Sequence, residues 1–210
     1  MAVIEKLASS RGRRDEEPNI ALAKEIAFRG NRAAVEELTQ ALHGKDKAVK
    51  SDAIKVLYEL GALKPTLIAD HVEDFVKLLG STDNRLVWGA MTALGSIADI
   101  RADKIWQNIE PVIKATQTGS VITQDWGVRV LATVAAKHER YRSRLFPFLM
   151  LFLQACEPKD FPRHLESIVP AINADGMKAV LELVEQRRVV LNATQAKRVD
   201  RVVKSLGTAG

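Results

Sequence analysis

A chain of 210 residues that is 47% hydrophobic but only 5% aromatic holds ample Leu, Ile, Val and Ala for helix-on-helix packing, and this balance disfavours a β architecture. Its one cysteine, Cys156, excludes an intrachain disulfide framework and makes a reducing, cytoplasmic compartment the expectation. The net charge is +5, from 31 basic and 26 acidic residues, with the surplus in the C-terminal half, where it favours an acidic partner through an attraction that salt weakens.

Residues 1–18 open with Met1 to Ser10, which carry Glu5 and Lys6 and lack the apolar block of a secretory signal. Three arginines, at 11, 13 and 14, then give way to Asp15, Glu16, Glu17 and Pro18. This polar, charge-switching stretch predicts a loosely packed segment. Asn19 is a good helix cap, and Ile20, Ala23, Ala27 and Phe28 supply the apolar face of a short first helix.

Beyond it the chain reads as paired helices. Val49, Ala53, Val56, Leu57 and Leu60 mark one side of a helix ending near Gly61, and Val72, Phe75, Val76 and Leu79 mark the next before Gly80. Leu86, Ala90, Leu94 and Ile97 begin the third unit, completed by Ile109, Val112, Ile113 and Thr116. The fourth has Val128, Leu131, Val134 and Ala135, then Phe146, Leu149, Met150 and Leu153. Spacings of three and four bury one face of a helix. Pro111 and Pro147 are placed in the first turns of their helices, where a missing backbone donor does least harm. In the fifth unit Pro158, Pro162 and Pro170 predict a first helix that is short or kinked near Val169. A second helix after Gly176 carries Val180, Leu183 and Val184, and a closing helix from about Thr194 to Leu206 carries Val199, Val202, Val203 and Leu206.

These units repeat at a step of 37. Leu57, Leu94 and Leu131 share one register, which reaches Ile20 backwards and Ile168 forwards. Val35, Val72, Ile109, Phe146 and Leu183 share a second, and Leu38, Phe75, Val112 and Leu149 a third that breaks only at Gln186. One such unit cannot bury its apolar stripe alone, so each neighbour must supply the other wall of the core. Ala53, Ala90 and Gly127 recur at one phase as small residues that let helices approach.

Asp83, Arg85, Leu86, Ala90, Leu94 and Gly95, with a partial second copy at Asp46, Val49, Lys50, Ala53, Leu57 and Gly61, give the chain a likeness to known repeats. Over residues 19–190 it resembles the HEAT-repeat and armadillo-like helical repeat superfamily. The resemblance implies an all-α, right-handed α-α superhelical solenoid of HEAT-like hairpins, with a period near 37 residues. Residues 19–210 are then expected to form a single repeat domain of about five hairpins plus the closing helix. It also implies a scaffold or adaptor that binds a macromolecule, in the first place a protein, along a concave surface.

Candidate chemistry is sparse. His43, His71, His138 and His164 are widely spaced, no H-E-x-x-H pattern occurs, and no phosphate-binding glycine loop is present, so no metal or other cofactor is expected. The expectation is a non-enzymatic protein with no membrane-spanning segment, since the apolar stretch from Leu145 to Ala155 is too short to cross a bilayer. The alternative is a basic protein that binds DNA or RNA. Arg140, Arg142 and Arg144, placed in the turn of the fourth unit, would then join Arg187, Arg188, Lys197, Arg201 and Lys204 as a phosphate-contacting surface. Its narrowest form follows a resemblance to the compact HEAT-like alkylated-base DNA glycosylases, whose sites combine tryptophans with a carboxylate. Trp88, Asp125 and Trp126 are the cluster that this reading would use.

Overall fold

The computed structural model describes residues 2–207, and every regular element among them is helical. Met1 and the last three residues of the expected repeat domain lie outside the described residues. The α-helices are α1 (Glu17–Arg29), α2 (Arg32–Leu42), α3 (Lys47–Leu63), α4 (Val72–Leu78), α5 (Asn84–Ile97), α6 (Ala102–Gln107) and α7 (Ile109–Thr118). There follow α8 (Val121–Ala135), α9 (Glu139–Ala155), α10 (Phe161–Ile168), α11 (Ala174–Arg188) and α12 (Ala193–Gly207). The chain divides into two compact units, residues 1–126 and 127–210, where the sequence reading expects one repeat domain.

In the first unit the long helices α1, α3 and α5 pack side by side, with α2 against α3 and α4 against α5. Between α3 and α5 the chain makes two 3-10 turns, Pro65–Leu67 and Ala69–His71, followed by α4. Between α5 and α8 it makes the short α6 and then α7. Short pieces in place of one second helix refine the simple hairpin at these two connections, and they arise where Pro65 and the non-helical turn at Asn108 interrupt the intervening segment. Aspartates start α3 and α5: Asp46 accepts from the N–H groups of Ala48 and Val49, and Asp83 from that of Arg85. Gly30 closes α1 in the left-handed conformation, φ 63°.

The sequence registers face inward except at Ile20 and Phe146, which are half-buried. Leu57, Leu94 and Leu131 have no exposed surface, and neither have Leu38, Phe75, Val112 and Leu149. Each such side chain contributes about 1.5–3 kcal/mol by leaving water. Ala53 and Ala90 are equally buried, so the small-residue phase marks the helix contacts. In the second unit α10 packs on α12, and Leu145, Leu153, Phe161, Leu165, Val180 and Val199 are buried.

Four local expectations are corrected. Residues 2–18 are not loose: Leu7 is fully buried, and the Ala8 N–H donates to Asn19 Oδ1 at 3.0 Å. The Ser9 N–H donates to Asp52 Oδ2 at 2.7 Å, while Asn19 Nδ2 donates to Asp52 Oδ1 at 2.8 Å. Asn19 is therefore the third residue of α1 and a buried clamp, not its cap. Pro147 lies in the middle of α9, not at a helix start, because the helix already begins at Glu139. Both Pro147 and Ser143, whose carbonyl loses its donor, are exposed, so water can satisfy that carbonyl. Arg140, Arg142 and Arg144 consequently sit on the first turns of α9 and not in an interhelical turn. The crowded prolines of the fifth unit do shorten its first helix: α10 has eight residues and passes into a 3-10 turn at Val169–Ala171.

The clamp and a buried histidine give two measurable consequences. Asp52→Ala removes the acceptors of the Ser9 N–H and of Asn19 Nδ2, and we expect a loss of about 1–3 kcal/mol in urea unfolding with faster amide exchange at Ser9. Unchanged protection at Ser9 would show that the bond to Asp52 does not hold the strap. His164 is 3% exposed, with its ring edge-on to Phe152 at 5.2 Å. Burial first, then Arg163, pushes it down to about 4 while Asp160 opposes the shift. The unfolded imidazole, near 6.5, takes up a proton that the folded one refuses. Stability from this group is thus complete above pH 6.5 and falls by on the order of 2–3 kcal/mol towards pH 4. Unfolding measured across that window should show the wild type losing this much more stability than His164→Leu.

Candidate binding site

Side chains three and four residues apart on the long helices α3 and α5 meet on one face of the first unit. On α3, Lys55 lies over the ring of Tyr58, with Nζ 4.9 Å from its centroid, and pairs with Glu59 at 2.8 Å. On α5, the Arg85 guanidinium lies over Trp88 at 5.9 Å. The two aromatic rings meet across the helix contact, 5.4 Å between centroids and tilted by 52°. Glu16, just before α1, joins both cations: it is 2.8 Å from Lys55 Nζ and 2.6 Å from Arg85 Nη2.

The electrostatics of this group are internally balanced. Lys55 is only 6% exposed, and its burial opposes the charge. Hydrogen bonds to Glu16 and Glu59, with help from Tyr58, outweigh that cost and hold its pKa above the ordinary lysine value. Glu16 is lowered by Lys55 first, with burial opposing and Arg85 adding. Burial raises Tyr58, and Lys55 works against it. The result is a fixed platform in which Trp88 alone of the two rings is half-exposed, while Tyr58 beneath it is buried. Beside the platform, an open cleft of about 280 Å³ is lined by Ser9, Arg13, Arg14, Glu16, Ser51, Asp52 and Arg85.

The cluster expected from the sequence is placed differently. Trp88 packs back onto α3, whereas Trp126 packs back onto α5, its ring lying against Gly95. Asp125 is half-buried on α8 beside it. The two tryptophans therefore serve successive helix contacts, each on the preceding long helix. Lys55, Tyr58, Glu59, Arg85 and Glu16 are not among the site residues expected from the sequence. The available signal was the cation-x-x-aromatic spacing, Lys55 to Tyr58 and Arg85 to Trp88, on two adjacent repeats.

The basic residues of the alternative reading lie in the second unit. Arg142 is held by Glu139 at 2.6 Å, and Arg188 by Glu185 at 3.1 Å and Asp200 at 2.6 Å. Arg187 donates to the carbonyls of Gln154 and Cys156, capping the end of α9, and lies over Phe161. Arg144 and Lys204 are exposed. Arg140, Lys197 and Arg201 are exposed and carry no ion pair among the described residues. A polyanion would thus meet some cations already committed to packing. Among the described residues no group of three or more His, Cys, Asp and Glu side chains is arranged to hold a metal ion. No helix among them is long and apolar enough to cross a membrane.

Comparison with known proteins places the fold in a class. No family model matches the sequence, and no curated protein does. Solved structures do match. An engineered protein from the Northeast Structural Genomics Consortium superposes with a TM-score of 0.67 at 20% identity, over 100% of this chain and 98% of its own. A designed armadillo repeat protein in complex with the peptide (KR)4 gives 0.68 at 15% identity, over 88% of this chain and 85% of its own. Computationally designed armadillo repeat proteins for modular peptide recognition give 0.65 at 18%, over 96% and 97%. The fold is that of an armadillo-like helical repeat.

The seat of Trp126 tests the close packing. A Cβ on Gly95 would stand 2.4 Å from Trp126 Cε3 and 2.8 Å from Cζ3. Gly95→Ala is expected to cost about 1–3 kcal/mol, more than the gain in helix propensity returns. In a Trp126→Leu background the same change should become neutral or stabilising. Additive costs in that double-mutant cycle would contradict the contact.

Proposed function

We propose that this chain is a non-enzymatic binding module that takes a peptide segment of a partner protein across the α3–α5 face. The half-exposed Trp88, seated on buried Tyr58 and braced by Arg85, carries the reading. A rigid, amphipathic aromatic anchor gives a large contact area at little entropic cost, and the Lys55, Glu16 and Glu59 group keeps it from collapsing. The likeness to designed armadillo proteins, one of them bound to a peptide, supports the same kind of ligand. A cytoplasmic setting is part of the proposal and rests on the single cysteine, Cys156.

The test is selection from a displayed library of random peptides. Enriched peptides should bind the wild type and lose at least about tenfold in affinity to Trp88→Ala, with the helical circular dichroism retained. Peptides that bind both proteins equally, or no enrichment at all, would remove the reading.

A further inference from the structure

Val121 and Ile122 at the start of α8 aside, the exposed large apolar side chains of the first unit share one setting. Phe28 is 92% exposed, Leu63 51% and Ile100 39%. They stand at the C-terminal ends of α1 and α3 and just after α5, and each is followed at once by a cation: Arg29, Lys64 and Arg101. The apolar-basic pair thus recurs at three successive turns of the stack.

Close contacts and ion pairs tie these turns into one edge. Lys64 Nζ lies over Gly30, 3.7 Å from where a Cβ would stand. Asp70 joins Arg101 at 2.7 Å and Arg32 at 3.8 Å, linking the turn after α5 to the start of α2. Lys24, one helical turn before Phe28, and Lys64 have no ion pair among the described residues. Cations at helix C-termini also satisfy the helix dipole. That accounts for the charges and leaves the apolar members unexplained.

We propose that this edge docks onto an anionic lipid surface. Protruding apolar side chains flanked by Lys and Arg suit a soft interface, where the apolar tips enter the acyl boundary and the cations stay among the headgroups. Neither the cleft beside Arg85 nor the second unit's recess at Leu151 and Leu183 includes Phe28, Leu63 or Ile100. Neighbouring packed helices lie about 8–10 Å apart, so the three tips can engage one surface together. Peripheral docking of this kind needs no spanning helix and is independent of the peptide-binding face.

Vesicle co-sedimentation tests it, with phosphatidylcholine alone and with about 30% phosphatidylserine added. The wild type should pellet with the anionic vesicles, stay in solution with the neutral ones, and be released by high salt. Phe28→Ser, Leu63→Ser and Ile100→Ser combined should weaken anionic binding at least about tenfold without lowering the melting temperature, since exposed substitutions cost little stability. Lys24→Gln with Lys64→Gln should weaken it further. No binding to anionic vesicles, or equal binding by the triple variant, overturns the proposal, and an acidic protein partner would then be the occupant to seek.

Discussion

The contact between α3 and α5 governs the first unit, because two helices can share a core only if their backbones come close. Gly89 faces Ile54, where a Cβ would stand 2.8 Å from Cγ1, and Ala53 and Ala90 are fully buried. Gly95 admits the Trp126 ring at the next contact. These small residues set the spacing at which Leu57, Leu60, Leu86 and Leu94 interlock, and interiors packed at that density tolerate neither a void nor an added methyl group well. The periodic apolar sequence supplies the energy, and the small residues supply the geometry.

Polar groups decide how the stack is finished. The first repeat would leave an apolar flank to water, and the strap ending in Leu7 covers it. Its backbone donors at Ala8 and Ser9 find Asn19 and Asp52, so the covering segment satisfies its hydrogen bonds at the point of burial. In the second unit Arg187 performs a comparable service by taking up the carbonyls at the end of α9. The charges that look on paper like ligand-binding material are in several places the fittings of the fold. The same logic separates the Trp88 platform from its supports: Lys55 and Glu16 hold it, while the indole stays half-exposed.

Some of the candidate site was within reach of the sequence. Trp88 and Trp126 were singled out, but as one cluster, because their positions differ by nearly one repeat and were read as facing a common ligand. Equal phase on successive repeats places side chains on successive contacts, and each ring leans back onto the helix before it. Lys55, Tyr58 and Glu16 lie outside that reach because their cluster closes through distant pairs, Glu16 with Lys55 and Arg85 and Tyr58 with Trp88, at no fixed fraction of the repeat. Pro147 misled for a related reason: its cost depends on whether the orphaned carbonyl reaches water, which α9 arranges by exposing Ser143.

The sequence by itself determined the helical class, the 37-residue step and the inward registers, because apolar periodicity is a local property that survives in a linear string. Leu38, Phe75, Val112 and Leu149 could be placed in the core before any coordinates. Only the tertiary structure decided the breaking of the segments after α3 and α5 into short pieces, the packed N-terminal strap, the division into two compact units and the pairing of cations with aromatics. Those depend on which surfaces meet, and meeting is set by the packing of distant segments, whose free energy no single stretch of sequence contains.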